Sequence, residues 1–186
     1  MSLDPTSPPP IEPDTKDWTW VLGERCPECG FDAAALDVAT TGKRVRAIAA
    51  RFSDLLDDPL AASRPSPQQW SAVEYACHVR DVFRLFKTRL GLMLDEDDPL
   101  FANWDQDQTA VEDGYAAQEP GRVADELIAA AETIAAAFEA VTPEQQSRIG
   151  RRSDGAQFTV ESFTRYFLHD PIHHIWDVEQ GYEQLG

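Results

Sequence analysis

Three of the chain's four histidines fall in one run, Leu168-His169-Asp170-Pro171-Ile172-His173-His174-Ile175-Trp176-Asp177. Residues four apart on a helix lie one above the other, about 6 Å between Cβ atoms, so His169 and His173 form a two-point chelate. A metal such as Zn²⁺ takes imidazole nitrogens at about 2.0–2.1 Å, and two rings on one helix need a third ligand from another element. The remaining histidine, His78, is the candidate. Imidazole suits Zn, Ni, Cu and Fe alike, and a divalent metal, Zn or Ni first, is the expected cofactor. Glu74 and Asp81 share a helical face with His78, and either could accept the ring's second N–H and fix its tautomer. Asp177 is a candidate for the same role beside the later histidines.

The elements that must position these residues are helices. Val45, Ile48, Ala49, Phe52, Leu55 and Leu56 recur at helical spacing and predict a first helix from about Asp37 to Leu56, stopped by Asp57-Asp58-Pro59. Ser71-Ala72-Val73-Glu74 reads as a capping box with Trp70 and Tyr75 as its hydrophobic staple, which starts a second helix running to about Leu94. Val123, Leu127, Ala131, Ile134 and Phe138 give a third. The stretch from Asp95 to Pro120 between them is acidic and shows no sustained period, so it reads as a long crossover. Asp154-Gly155 predicts a turn or short hairpin before the fourth helix.

That fourth helix has two readings. Asp170-Pro171 looks like an N-cap followed by proline at the first helical position, which would leave His169 outside a new helix. Against this, apolar residues keep helical spacing from Thr159 through Ile175. A single helix kinked at Pro171 is the favoured reading. The defect costs about 3 kcal/mol in an ordinary helix interior, which suggests a site geometry worth that cost.

With 186 residues, a net charge of -17 and a pI near 4.4, the chain reads as one domain that DNA, RNA and anionic membranes would repel. No run of about 18 apolar residues occurs, and residues 1–17 are proline-rich with little to bury. We therefore expect a disordered tail over 1–17, a single domain over 18–186 and a cytoplasmic location. Cys26-Pro27-Glu28-Cys29 is a CxxC that reads as half a zinc site, a redox pair, or a tight turn with two small buried thiols. The turn is favoured, because no second CxxC or CxxH appears. Arg148, Arg151 and Arg152 form a basic cluster; the ordinary reading is solvated surface, but near a site mouth they would attract carboxylates.

Four helices with a long middle link describe an all-α four-helix bundle with a crossover between helices 2 and 3. The pattern Trp70-Ser71-x-x-Glu74-x-x-x-His78-x-x-Asp81, followed by His169-x-x-x-His173-His174, resembles the DinB-like superfamily of metal-binding bundles, which includes mycothiol-dependent maleylpyruvate isomerase-like proteins. The resemblance spans about Asp37 to Tyr182. It implies a metal held by one ligand from the second helix, matching His78, and two from the fourth, matching His169 and His173. His174, about 100° around the helix from His173, is then a packing or hydrogen-bonding residue. The resemblance also implies a low-molecular-weight thiol such as mycothiol as nucleophile, in a transferase or isomerase acting on an electrophilic small molecule. A non-catalytic metal-binding stress-response protein is the alternative, and the pattern leaves a homodimer open.

Overall fold

The computed structural model describes Ile11 and residues 16–186; most of the expected tail lies outside the described residues. α1 (Thr41–Leu56) buries the apolar stripe read from the sequence, including Val45, Ile48, Phe52 and Leu55. It begins later than Asp37 because Asp37 caps a separate 3-10 turn, Val38–Thr40, through the Ala39 amide. α2 (Ala72–Asp95) starts at the expected capping box, in which Ser71 and Glu74 satisfy each other's backbone amides. The Trp70 and Tyr75 rings meet edge to face at 5.5 Å across that start.

The crossover is more ordered than its sequence suggests. It contains a seven-residue helix, α3 (Gln106–Glu112), capped by Asp105, and a 3-10 turn at Tyr115–Ala117. Seven residues are too few to display a hydrophobic period, so the sequence reading missed it. Buried Phe101 and Tyr115 fasten the crossover, and the Tyr115 hydroxyl donates to Asp81 at 2.6 Å. α4 (Pro120–Glu139) has proline at its first position and Glu119 capping the Gly121 and Arg122 amides.

β1 (Ile149–Arg151) and β2 (Gln157–Thr159) form the expected antiparallel hairpin, turning through Gly155 at φ 95°. The hairpin is stitched to the crossover by Phe101 and Arg151 backbone bonds. Thr159 then caps α5 (Val160–Leu185), which runs through Pro171 without interruption. The reading in which a new helix begins at Asp170 is therefore not realised.

α1 and α2 each pack against both α4 and α5 and touch one another only slightly, so α1 and α2, consecutive in sequence, stand diagonally across the bundle. The aromatic middle joins α2, α4 and α5 through Phe86–Phe163 at 4.8 Å and Phe138–Phe167 at 5.2 Å. Each fully buried phenylalanine stabilises the fold by about 1.5–3 kcal/mol, which fixes how α2 and α5 are rotated toward each other. That rotation decides which α5 histidines meet His78.

Candidate metal centre

α5 carries two pairs with four-residue spacing, His169 with His173 and Asp170 with His174, on faces about 100° apart. The structure uses both. His78, Asp170 and His174 converge with one potential ligand atom from each within 4.8 Å of the others. His169 and His173 converge instead with Cys26 and Cys29, to the same tolerance.

The expected triad of His78, His169 and His173 is thus divided between two groups. The physical reason is the helical register: α2 lies against the face carrying Asp170 and His174, and the N-terminal segment lies against the face one residue back. In the first group Nε2 of His78 is 3.3 Å from Asp170 Oδ2, and Nε2 of His174 is 3.7 Å from the same oxygen. Nδ1 of His174 donates to Asp177 at 2.8 Å, which holds the ring with Nε2 toward the group. His174 and Asp177 therefore both belong here, His174 more centrally than a packing residue.

Burial works to raise the Asp170 carboxyl, but His78 and His174 more than offset it and hold it at about 2. It is ionised at neutral pH. Nδ1 of His78 and Oδ1 of Asp170 are buried without a hydrogen-bond partner among the described residues, an arrangement that costs about 1–3 kcal/mol per group if nothing compensates. Two imidazoles and one carboxylate, with polar atoms left over, fit a divalent cation. Trp104 stacks on His78 at 5.6 Å and Trp70 tilts against it at 5.5 Å, so the ring, 1% exposed, is screened from solvent.

Asp170 and His174, with His169 and His173 of the adjoining face, line a cavity of about 440 Å³ that also takes in Trp104, Arg89, Arg152 and Tyr166. Its rim includes exposed Asn103 and Asp154, so it reaches the surface. Burial, aided by Arg152, pushes the Arg89 guanidinium down to about 10, and its Nε has no partner among the described residues. Arg89 remains charged at neutral pH, and an anion in the cavity would relieve its desolvation.

Other expected site residues lie elsewhere. Glu74 is engaged by the capping box and by Arg64, and Asp81 by Arg80, Arg84 and Tyr115, so neither carboxylate orients His78. Of the basic cluster only Arg152 lines the cavity, bonded to Tyr166 and Asp154. Arg148 caps the end of α2 through the Met93 and Glu96 carbonyls, and Arg151 pairs with Asp98 at 2.9 Å. Arg89 and Trp104 carry no local motif that would have marked them. Asp170 did, as the residue four before His174, but the sequence reading weighs it only as a helix cap and, favouring one continuous helix, takes His169 and His173 as the α5 ligands.

The second group involves both cysteines of the CxxC. Cys26 Sγ is 3.6 Å from His173 Nδ1, and the Cys26 and His169 side chains are almost fully buried. Burial pushes the Cys29 thiol up to about 11, and burial with the neighbouring His173 pushes His169 down to about 4. Cys77 is separate: fully buried on α2, its thiol driven by burial to about 12, it is an inert packing residue.

The model of the DinB superfamily matches residues 41–178, from the first turn of α1 to the late part of α5. The chain belongs to the DinB superfamily. Among solved structures it is similar to YfiT from Bacillus subtilis, described as a probable metal-dependent hydrolase with an unusual four-helix bundle topology. That likeness has a TM-score of 0.72 at 17% identity and covers 80% of this chain and 87% of YfiT. No curated protein matches the chain. The DinB match begins after Cys26 and Cys29, so the second group combines a superfamily helix with a segment outside the matched region. Among the described residues no helix is long and apolar enough to cross a membrane.

Proposed function

We propose that the chain is a metal-dependent enzyme in which His78, Asp170 and His174 hold a divalent ion and a low-molecular-weight thiol attacks an electrophilic small molecule, in a transfer or isomerisation. The observation that carries this reading is the convergence of those three donors, two of which, Asp170 and His174, line a cavity reaching solvent. Three protein ligands leave a tetrahedral position for an exogenous group, as catalytic rather than structural sites do. A divalent ion, Zn or Ni first, supplies Lewis acidity that lowers the pKa of a thiol or water placed beside it.

The protein's own residues do the remainder. Asp177 holds the His174 tautomer, and Trp70 and Trp104 keep water from His78. Arg89 and Arg152 place two guanidiniums on a cavity wall that also carries Asp105, Asp107, Asp154 and Asp170, in a chain of net charge -17. The two guanidiniums suit a thiol bearing a carboxylate, such as glutathione or cysteine, because the overall field would otherwise repel an anion; mycothiol, which has no carboxylate, would be recruited through the metal alone.

A second reading, hydrolysis with water as nucleophile, is favoured by the description of the Bacillus structure. Both are tested by following a fluorogenic electrophile such as monochlorobimane with zinc- or nickel-loaded protein and mycothiol, glutathione, cysteine or no thiol, beside a panel of ester and amide substrates. The account expects thiol-dependent conjugation, reduced on the order of a hundredfold or more in His174→Ala. Hydrolysis without thiol would favour the second reading. Tight metal binding with no turnover of either kind would favour a binding protein.

A further inference from the structure

We propose that Cys26, Cys29, His169 and His173 form a closed, structural zinc site that clamps the N-terminal segment onto α5. The inference stands independently of any metal at His78.

The segment needs such a clamp. From Trp18 to Leu36 it forms a 3-10 turn and loops, with Val21, Cys26, Phe31, Ala33 and Leu36 as its buried apolar contacts. Cys26-Pro27-Glu28-Cys29-Gly30 folds into a tight knuckle in which the Gly30 amide donates to the Cys26 carbonyl at 3.0 Å and the Cys26 amide to the Phe31 carbonyl at 2.8 Å. Gly30 sits at φ 75°, a conformation glycine adopts without penalty and other residues rarely do. The knuckle thus turns two thiols to one side.

Two imidazoles at four-residue spacing meet them from α5. In a tetrahedral zinc site with Zn–S of about 2.3 Å and Zn–N of about 2.0–2.1 Å, neighbouring ligand atoms lie roughly 3.3–3.8 Å apart. The four donors here lie within 4.8 Å of one another, with Cys26 Sγ to His173 Nδ1 already at 3.6 Å. The other nitrogen of His173 faces Glu28 Oε2 at 3.6 Å and Asp177 Oδ1 at 3.9 Å, the carboxylate partners that metal-bound histidines use to fix their tautomer. His169, 3% exposed, has Nε2 buried with no partner among the described residues. Four protein ligands complete the shell and leave no position for a substrate, and two thiolates balance the charge of the ion. Trp18 covers the group, its ring 5.3 Å from His169 and 5.0 Å from His173.

The test uses the full chain, purified with zinc under reducing conditions, and a mercurial that attacks thiolates, with a chromogenic indicator reading zinc release. We expect an equivalent of zinc to be released as the CxxC thiols react. Cobalt-substituted protein should show a thiolate-to-metal charge-transfer band and tetrahedral visible bands. Cys26→Ser and His169→Ala should lose both signals and expose the 18–36 segment to limited proteolysis, while Cys29→His, which keeps a ligand, should retain metal and protection. His78→Ala should keep the mercurial-releasable zinc and the thiolate band, so failure of the open site is read separately. If Cys26→Ser itself does not fold, chelation of the wild type should reproduce the proteolysis. Wild-type protein without thiol-coupled zinc release, or with a Cys26–Cys29 disulfide as isolated, would overturn the proposal.

Discussion

His173 and His174 are consecutive residues whose rings, 6.2 Å apart and inclined at 78°, face different groups. Asp177 stands between them, accepting a hydrogen bond from His174 and lying 3.9 Å from His173. A one-residue step along α5 therefore separates the candidate open site from the candidate closed one.

The first expected outcome concerns Asp170. Asp170→Asn removes the one carboxylate among the three donors while keeping its shape, so affinity for zinc at that site should fall at least tenfold by competition with a chromogenic chelator. Thiol-coupled zinc at the CxxC should be unchanged. His174→Ala should behave alike, in contrast to the packing or hydrogen-bonding role expected from the sequence.

A second outcome concerns stability and pH. Burial raises the Asp81 carboxyl, but hydrogen bonds from Arg80 and Tyr115 outweigh it, so the folded value lies below the usual carboxylate range. A depressed carboxylate stabilises the fold above its unfolded pKa, about 3.9, and that contribution is lost as pH falls through the folded value. Asp81→Asn should cost about 2 kcal/mol at pH 7 in urea unfolding, and the gap from wild type should narrow below about pH 4. A gap independent of pH would contradict this.

The wall of the cavity gives a third. Arg152→Gln should weaken binding of a carboxylate-bearing thiol by about fivefold and flatten its salt dependence, because Arg152 faces the cavity and is only partly exposed. Arg151→Gln, whose partner is Asp98 outside the cavity, should leave binding unchanged. Thiol affinity across a salt series measures both.

Much of the scaffold was legible because it rests on local signals. The capping box at Ser71 and Glu74, the helical stripe from Val45 to Leu56, and the hairpin around Gly155 are each fixed by neighbours in sequence. The histidines were legible as candidate ligands, but their grouping was not. Which of His173 or His174 meets His78 depends on the rotation of α5 about its axis, set by Phe86, Phe163 and Phe167 packing far along the chain. The pairing of Cys26 with His173 spans 147 residues and leaves no local trace. Glu74 and Asp81 misled for the same reason, since a shared helical face does not reveal that Arg64 and Tyr115 arrive to occupy them.

Anomalous diffraction at the zinc absorption edge from crystals of zinc-loaded protein shows directly whether the histidines are divided between sites. An anomalous peak is expected among Nε2 of His78, the Asp170 carboxylate and Nε2 of His174. A peak shared by His78, His169 and His173, or none at His78, would contradict that division.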